Sequence, residues 1–362
     1  MSLTLTAPQP APTRQRPAPG AVIAGTGHYV PERRLTNADL EQVMDTSDAW
    51  IVERTGIKER RIAAPDETTA TMAVRAARTA LADAGLTAAD VDVCLVATCT
   101  PDQILPSTAA FVADSLGLRC GSFDLAAACS GFVYGLVTAS ALLGTGTMRS
   151  ALVIGSETIS RFLDTSDRST GMLFGDGAGA AVLVPGPHAG LGGLDSPGLL
   201  AWDLGCDGSA TGILEVVAGG SRLPTSAATV EANQHVVRMD GREVYRRAVR
   251  AVVESVTGTL ATAGIEASAI DLFIPHQANA RIVDAVLPRL GISPERTFTN
   301  IEHYGNTSAA SIPIALSEAA AARRIHAGDL VLMTGFGAGM TWASALVRWH
   351  GGQPVGADAP CS

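Results

Sequence analysis

The sequence predicts an α/β protein made of two duplicated β-α-β-α halves, packed as five layers in the order helix, sheet, helix, sheet, helix. Three observations carry that prediction. The segment ALADAGLTAADVDVCL (residues 80–95) lies without a gap over TLATAGIEASAIDLFI (residues 259–274). Continuous apolar runs of strand length alternate with amphipathic helical patterns that stop at glycine. Residues 125–148 carry no charged side chain and are rich in Gly, Ala, Ser and Thr, as suits a central helix covered by protein on every side.

In chain order, residues 1–20 are rich in Pro, Ala and Gln, lack an apolar core and read as a disordered arm rather than a signal peptide. Residues 21–27 read as a first strand and Thr36 as a helix start. The segment 45–61 reads as a capped helix, a Gly stop and a basic cluster. Helix 68–84 ends at Gly85, strand 91–97 follows, and helix 107–116 ends at Gly117. Residues 124–143 read as strand, sharp turn and buried helix, with Cys129 at the turn, and residues 150–155 as the next strand. Gly175, Gly177 and Gly179 neither follow a strand nor open a helix, so they read as close-packing glycines and not as a dinucleotide site. The second copy repeats this pattern to Leu290-Gly-Ile292. Asn306-Thr-Ser-Ala309 is set against Ala128-Cys-Ser-Gly131, and residues 329–335 against strand 150–155. The expected division is an N-terminal half over 21–186, a C-terminal half over 187–350, and a flexible tail over 351–362.

The totals exclude several classes. The 362 residues are 47% apolar and 17% charged, with a formal net charge of −9, which gives no footprint for nucleic acid. Mean hydropathy is positive, but the uncharged stretch has too few large aliphatics for a bilayer span. The expected location is therefore cytoplasmic, with no membrane partner. Six cysteines show no C-x-x-C spacing and seven histidines no H-x-x-x-H pair, so neither a disulfide framework nor a metal is expected.

Chemistry is expected where the halves meet. A thiol at the first residues of a helix faces unpaired N–H groups and the positive end of the macrodipole, which favours thiolate and prepares a nucleophile. A lone Cys in an apolar run ordinarily packs as a small hydrophobe. What sets Cys129 apart is the repeat, which puts His276 at the end of the strand matching 91–97 and Asn306 beside the turn matching Cys129. Cys, His and Asn at duplicated strand ends make a thiol-acylation site.

Five segments in this order, DLAAACSGF (124–132), FGDGAGAAV (174–182), PHQAN (275–279), HYGNTSAASIPIAL (303–316) and GFGAGMTWASALVRW (335–349), resemble the beta-ketoacyl-ACP synthase III family of thiolase-fold condensing enzymes. The resemblance covers about residues 21–350. It implies that Cys129 takes an acyl group from acyl-CoA and that His276 and Asn306 hold the thioester carbonyl of malonyl-ACP while CO2 departs. The backbone N–H groups of Cys129 and Ala338 would form the oxyanion hole. It also implies that Trp50, Arg54 and Arg168 hold the adenine and phosphates of CoA, and that Thr46, Gly241 and Asn279 line the pantetheine tunnel. Arg242 and Tyr245 depart from one known form of that tunnel. Arg281, with Arg247 and Arg250, would steer the acidic carrier protein. Leu105 would cap the acyl pocket of a partner subunit in a homodimer, leaving room for acyl groups beyond acetyl. Acyl-CoA is a substrate, and no cofactor is implied.

Competing members of the fold class fit less well. A degradative thiolase needs a second Cys in the loop 335–340, which has none. A hydroxymethylglutaryl-CoA synthase needs a Glu base near the nucleophile, and the loop 98–107 offers only Asp102. A pathway-specific relative that primes a polyketide, or one that passes acyl groups to an alcohol or amine without condensing, stays open. So does a non-enzymatic binding protein.

Overall fold

The computed structural model describes residues 20–186 and 195–351. The N-terminal arm, the tail and the boundary between the halves lie outside the described residues, apart from Gly20 and Gly351.

The N-terminal half contains β1 (Ala21–Tyr29), α1 (Asp48–Thr55), α2 (Thr69–Asp83), β2 (Val93–Ala97), α3 (Thr108–Leu116), β3 (Gly121–Leu125), α4 (Gly131–Leu143), β4 (Ala151–Glu157) and β5 (Gly177–Pro185). The C-terminal half contains β6 (Gly198–Cys206), α5 (Gly241–Ala263), β7 (Leu272–Pro275), α6 (Ala280–Leu290), α7 (Ser311–Ala321), β8 (Leu330–Gly337) and β9 (Thr341–Arg348). Local chemistry sets several ends. Ser47 accepts a hydrogen bond from the Trp50 N–H at the start of α1, and Gly56 closes that helix in a left-handed conformation at φ 77°.

The first sheet has the order β1-β5-β4-β2-β3, with β2 parallel to β3 and β4, and β5 antiparallel to β1 and β4. The second has the order β7-β8-β9-β6, with only β7 and β8 parallel. The counterpart of β3 in the second sheet shrinks to one bridge, Phe273 to Thr297, and a Phe298 N–H bond to the Phe273 carbonyl at 2.9 Å.

The five layers follow from what each helix touches. Helices α4 and α7 contact both sheets, α2 and α3 cover the outer face of the first, and α5 covers the outer face of the second, with α6 packed on α5 and sharing its core. Phe132, Leu136, Ile312 and Leu316 of the central helices share one core with Leu95, Val153, Ile274 and Met333 of the two sheets. Close approach requires small residues there: a Cβ on Gly155 would lie 2.2 Å from the Ala309 carbonyl oxygen, and one on Gly179 would lie 2.6 Å from the Ile314 nitrogen. The packing role expected for the glycines of FGDGAG therefore holds.

The repeat register needs one correction. The residue that matches Ala128 is Ser308, two positions beyond Asn306. Both have left-handed backbone, at φ 46° and 49°, and each opens a short 3-10 turn that feeds a central helix. The turn is defined by where the backbone inverts, which side-chain likeness does not report.

Candidate active site

Cys129 is the middle residue of the 3-10 turn between β3 and α4 and is 7% exposed. The turn is pressed against β8 of the other half. A Cβ on Gly337 would lie 2.5 Å from the Cys129 nitrogen and 2.8 Å from the Ala128 Cβ. The Ser130 hydroxyl donates to the Ala127 carbonyl at 2.7 Å, and Thr341 does so at 2.9 Å. The halves are thus joined at the nucleophile.

Burial works against the thiolate that the helix end favours. Burial pushes the Cys129 thiol up to about 12. The hydrogen bond with Ser308 opposes this, and the negative charge of Glu157 adds to it. The sequence reports the helix end, whereas the desolvation and the nearby carboxylate arise from tertiary packing. The Cys129 thiol donates to Ser308 Oγ at 3.4 Å.

His276 sits one residue beyond β7, where its N–H continues the ladder to the Thr334 carbonyl at 2.7 Å. Its ring is 2% exposed, meets Phe336 edge-on at 5.3 Å, and has no hydrogen-bond partner on either nitrogen. Burial pushes its pKa down to about 3, so the imidazole is neutral. Asn306 Oδ1 accepts the Ser308 N–H at 2.9 Å, which leaves the Nδ2 hydrogens to donate elsewhere.

Two cavities meet at Cys129. One, of about 550 Å³, is a tunnel whose wall includes Cys129, His276 and Asn306 and which reaches Trp50, Arg54 and Arg281. The other, of about 510 Å³, is mostly apolar, with Ile104, Ile159, Phe162, Phe174, Leu214 and Ala338 in its wall. Packing therefore brings the three expected chemical groups to one wall, and Ala338 lines the other cavity with Cys129.

The remaining candidates are distributed as follows. Trp50 packs beneath two guanidiniums, Arg168 at 4.3 Å and Arg54 at 5.8 Å from the ring centre. Arg168 also lies 3.8 Å from Asp45. Gly241 opens α5 on the tunnel wall, beside Arg242 and Tyr245. Asn279 is on the same wall and caps α6 through the Arg281 N–H at 2.9 Å. Arg281 is exposed and lies 5.9 Å from the Tyr245 ring centre. Thr46 is not on the tunnel wall; its hydroxyl is buried without a partner. Leu105 and its neighbour Ile104 are 83% and 87% exposed, and Leu105 does not line its own chain's cavity. Arg247 pairs with Asp207 and Glu243, each at 2.7 Å, which removes it from the expected carrier-steering patch.

Glu157 and the side chains that bond it escaped the sequence reasoning. Glu157, the last residue of β4, is fully buried and accepts from Ser308 Oγ at 3.0 Å, Thr100 Oγ1 at 2.6 Å and Cys99 Sγ at 3.0 Å. A carboxylate does therefore reach the nucleophile region, from a different strand than the loop searched for one. Asp102 instead accepts the Ala70 N–H of α2 at 2.9 Å. The available signal was a carboxylate closing an otherwise apolar strand, in SALVIGSE.

Among the described residues no group of three or more His, Cys, Asp or Glu could hold a metal ion, and no helix is long and apolar enough to cross a membrane. A family model described as 3-oxoacyl-[acyl-carrier-protein] synthase III matches residues 123–208, and one for the C-terminal part of the same family matches residues 260–349. The chain is 49% identical over 328 residues to a beta-ketoacyl-[acyl-carrier-protein] synthase III of Desulfitobacterium hafniense, covering 90% of this chain and 97% of that protein. It matches the crystal structure of a 3-oxoacyl-[acyl-carrier-protein] synthase III from Aquifex aeolicus with a TM-score of 0.83 at 44% identity, over 91% of this chain and 100% of that one. It also matches the priming beta-ketosynthase of the R1128 polyketide pathway, with a TM-score of 0.84 at 36% identity over 93% and 98% of the two chains. Its length, order of elements and identity to these proteins make the chain a member of the beta-ketoacyl-[acyl-carrier-protein] synthase III family.

Proposed function

We propose that the protein condenses an acyl-CoA primer with malonyl-ACP, releasing CO2 and giving 3-oxoacyl-ACP, the first carbon–carbon bond of fatty-acid synthesis. The observation that carries this is Cys129 at the junction of an apolar cavity and a cation-mouthed tunnel, with His276 and Asn306 on the tunnel wall.

Cys129 attacks the thioester carbon of acyl-CoA. The backbone N–H groups of Cys129 and Ala338 receive the developing oxyanion, a contribution of roughly 3–4 kcal/mol per donor. CoA leaves, and the acyl chain remains on sulfur in the apolar cavity. The malonyl thioester carbonyl then accepts hydrogen bonds from neutral His276 and from Asn306 Nδ2. Decarboxylation needs no C–H proton removed, so two neutral donors that stabilise the enolate suffice. The carbanion attacks the acyl-cysteine, and the Cys129 sulfur departs.

Arg54 and Arg168 flanking Trp50 suit the phosphates and base of CoA, while Gly241 and Asn279 on the tunnel wall suit the pantetheine. Arg281 suits an acidic carrier protein. The exposure of Leu105 supports a homodimer in which it closes the partner's acyl cavity. The size of that cavity supports primers larger than acetyl.

The test is mass spectrometry of Cys129 after incubation with a panel of acyl-CoAs, and again after malonyl-ACP is added. Acyl loading followed by 3-oxoacyl-ACP is expected. Loading without condensation would replace this reading with simple acyl transfer, and strict acetyl selectivity would overturn the assignment of a larger primer. His276→Ala should keep loading and lose condensation. The tunnel and cavity suit a polyketide-priming synthase equally in chemistry, so the carrier protein that supports turnover separates the two pathways.

A further inference from the structure

The thiol of Cys129 has to lose its proton before it can attack, and the described residues offer one continuous route. Cys129 Sγ donates to Ser308 Oγ at 3.4 Å, and Ser308 Oγ donates to Glu157 Oε1 at 3.0 Å. Glu157 is 0% exposed. It takes further hydrogen bonds from Thr98 Oγ1 at 3.2 Å, Thr100 Oγ1 at 2.6 Å, the Cys99 N–H at 3.2 Å and Cys99 Sγ at 3.0 Å. Among the described residues no basic side chain pairs with it. A carboxylate buried beside the nucleophile with hydrogen-bond donors but no cation is a costly group to keep for structure alone. His276 has no hydrogen bond to the thiol, and its buried ring is a poor proton acceptor.

We propose that Cys129, Ser308 and Glu157 form a proton relay that generates the attacking thiolate, with Glu157 as the temporary proton store. This inference rests on the acyl-loading step proposed above. The Cys129 S–H bond breaks as its proton passes to Ser308 Oγ, while the Ser308 hydroxyl proton passes to a Glu157 carboxylate oxygen. The products are a thiolate facing the new Ser308 O–H and a neutral carboxylic acid. When the tetrahedral intermediate collapses, the departing CoA sulfur takes one proton and Glu157 gives one up, so thiol and thioester become thioester and thiol. The titratable groups facing Glu157 are the Cys99 and Cys129 thiols. Burial raises the carboxyl above its ordinary range, which favours the protonated form the relay requires. Burial also raises the Cys99 thiol well above its ordinary range, so Cys99 stays a donor to Glu157. Ser308 touches the reacting sulfur, and Glu157 acts through it.

Single-turnover acylation of Cys129 by acetyl-CoA and by a branched acyl-CoA, followed by quenching and mass spectrometry, tests this in the full chain. Glu157→Gln keeps the size of the side chain but cannot store the proton. Ser308→Ala cuts the link at a position whose left-handed backbone suits alanine, since Ala128 adopts the same conformation in the other turn. Both variants should load roughly 100-fold more slowly at neutral pH, the usual scale of a general base. The double variant should be no slower than either. The variants' rates should climb about tenfold per pH unit as bulk hydroxide replaces the relay, while the wild-type rate stays nearly flat. Unchanged or faster loading in Glu157→Gln would overturn the relay, because deleting a negative charge beside the thiol would by itself raise the thiolate fraction. Should Glu157→Gln fail to fold, the rate and pH profile of Ser308→Ala decide alone. If the wild-type chain does not load at all, the acyl-transfer reading fails instead.

Discussion

Acid should destabilise this protein through His276, and His276→Gln isolates the effect. The ring is 2% exposed with both nitrogens unpartnered, so a proton entering it would leave an unpaired charge in a dry site. In the unfolded chain the group titrates near 6.5, and in the folded one near 3. The unfolded state therefore binds a proton that the folded state refuses. The stability linked to His276 is complete above 6.5 and is lost as pH falls from there toward about 3. Each pH unit in that window costs about 1.4 kcal/mol, so at about pH 5 the loss is roughly 2 kcal/mol. Urea unfolding of both proteins at about pH 7.5 and pH 5 measures it, because Glu157, Asp176 and the other acids are common to both and cancel. The gap between wild type and variant should shift by roughly 2 kcal/mol against the wild type on acidification. A gap independent of pH would refute the buried, neutral imidazole. So would a wild-type condensation step, measured on acyl-enzyme, that falls off with a midpoint near 6.5.

Three further outcomes follow from the geometry. Gly337→Ala drives a Cβ into the Cys129 backbone nitrogen and should lower Cys129 acylation by roughly 100-fold, the scale of one lost oxyanion donor, measured as the burst of free CoA. Asn306→Asp keeps the acceptor for the Ser308 N–H but loses the Nδ2 donor, so condensation on pre-acylated enzyme should fall by roughly 100- to 1,000-fold while the fold persists by circular dichroism. Trp50→Ala removes the surface on which Arg54 and Arg168 rest, and should raise KM for acyl-CoA about tenfold with kcat little changed, as loss of one base-stacking platform does.

How much of this was legible from residues alone depends on the range of the forces involved. The strand and helix pattern, the Gly56 and Gly117 stops and the duplication are written locally, by periodicity and by backbone freedom, and they hold in the structure. Cys129, His276 and Asn306 were found because a repeat maps one half's strand ends onto the other's. The exact register at Ser308 was missed, since it is set by backbone inversion in two turns with different side chains. Glu157 was missed for a related reason. It lies far from Cys129 in sequence and reaches it only through Ser308, so no spacing rule connects them. The upward push on the Cys129 thiol is not legible, because a helix end is visible in sequence whereas desolvation by both halves is not. Arg247 looked like a free cation until Asp207 and Glu243 were seen to hold it.

The meeting of the two cavities at one sulfur has a consequence for the order of events. In the proposed mechanism the apolar cavity would store the chain, and the tunnel would carry the pantetheine arm to Cys129. On the proposed reading, CoA and the carrier's arm need the same tunnel, so the first must vacate it before the second enters. Turnover then alternates between a free and an acylated enzyme. Double-reciprocal initial-rate plots should be parallel lines, and free CoA should compete with malonyl-ACP for the acylated form. Excess malonyl-ACP would slow its own reaction by occupying the tunnel before a primer has been delivered.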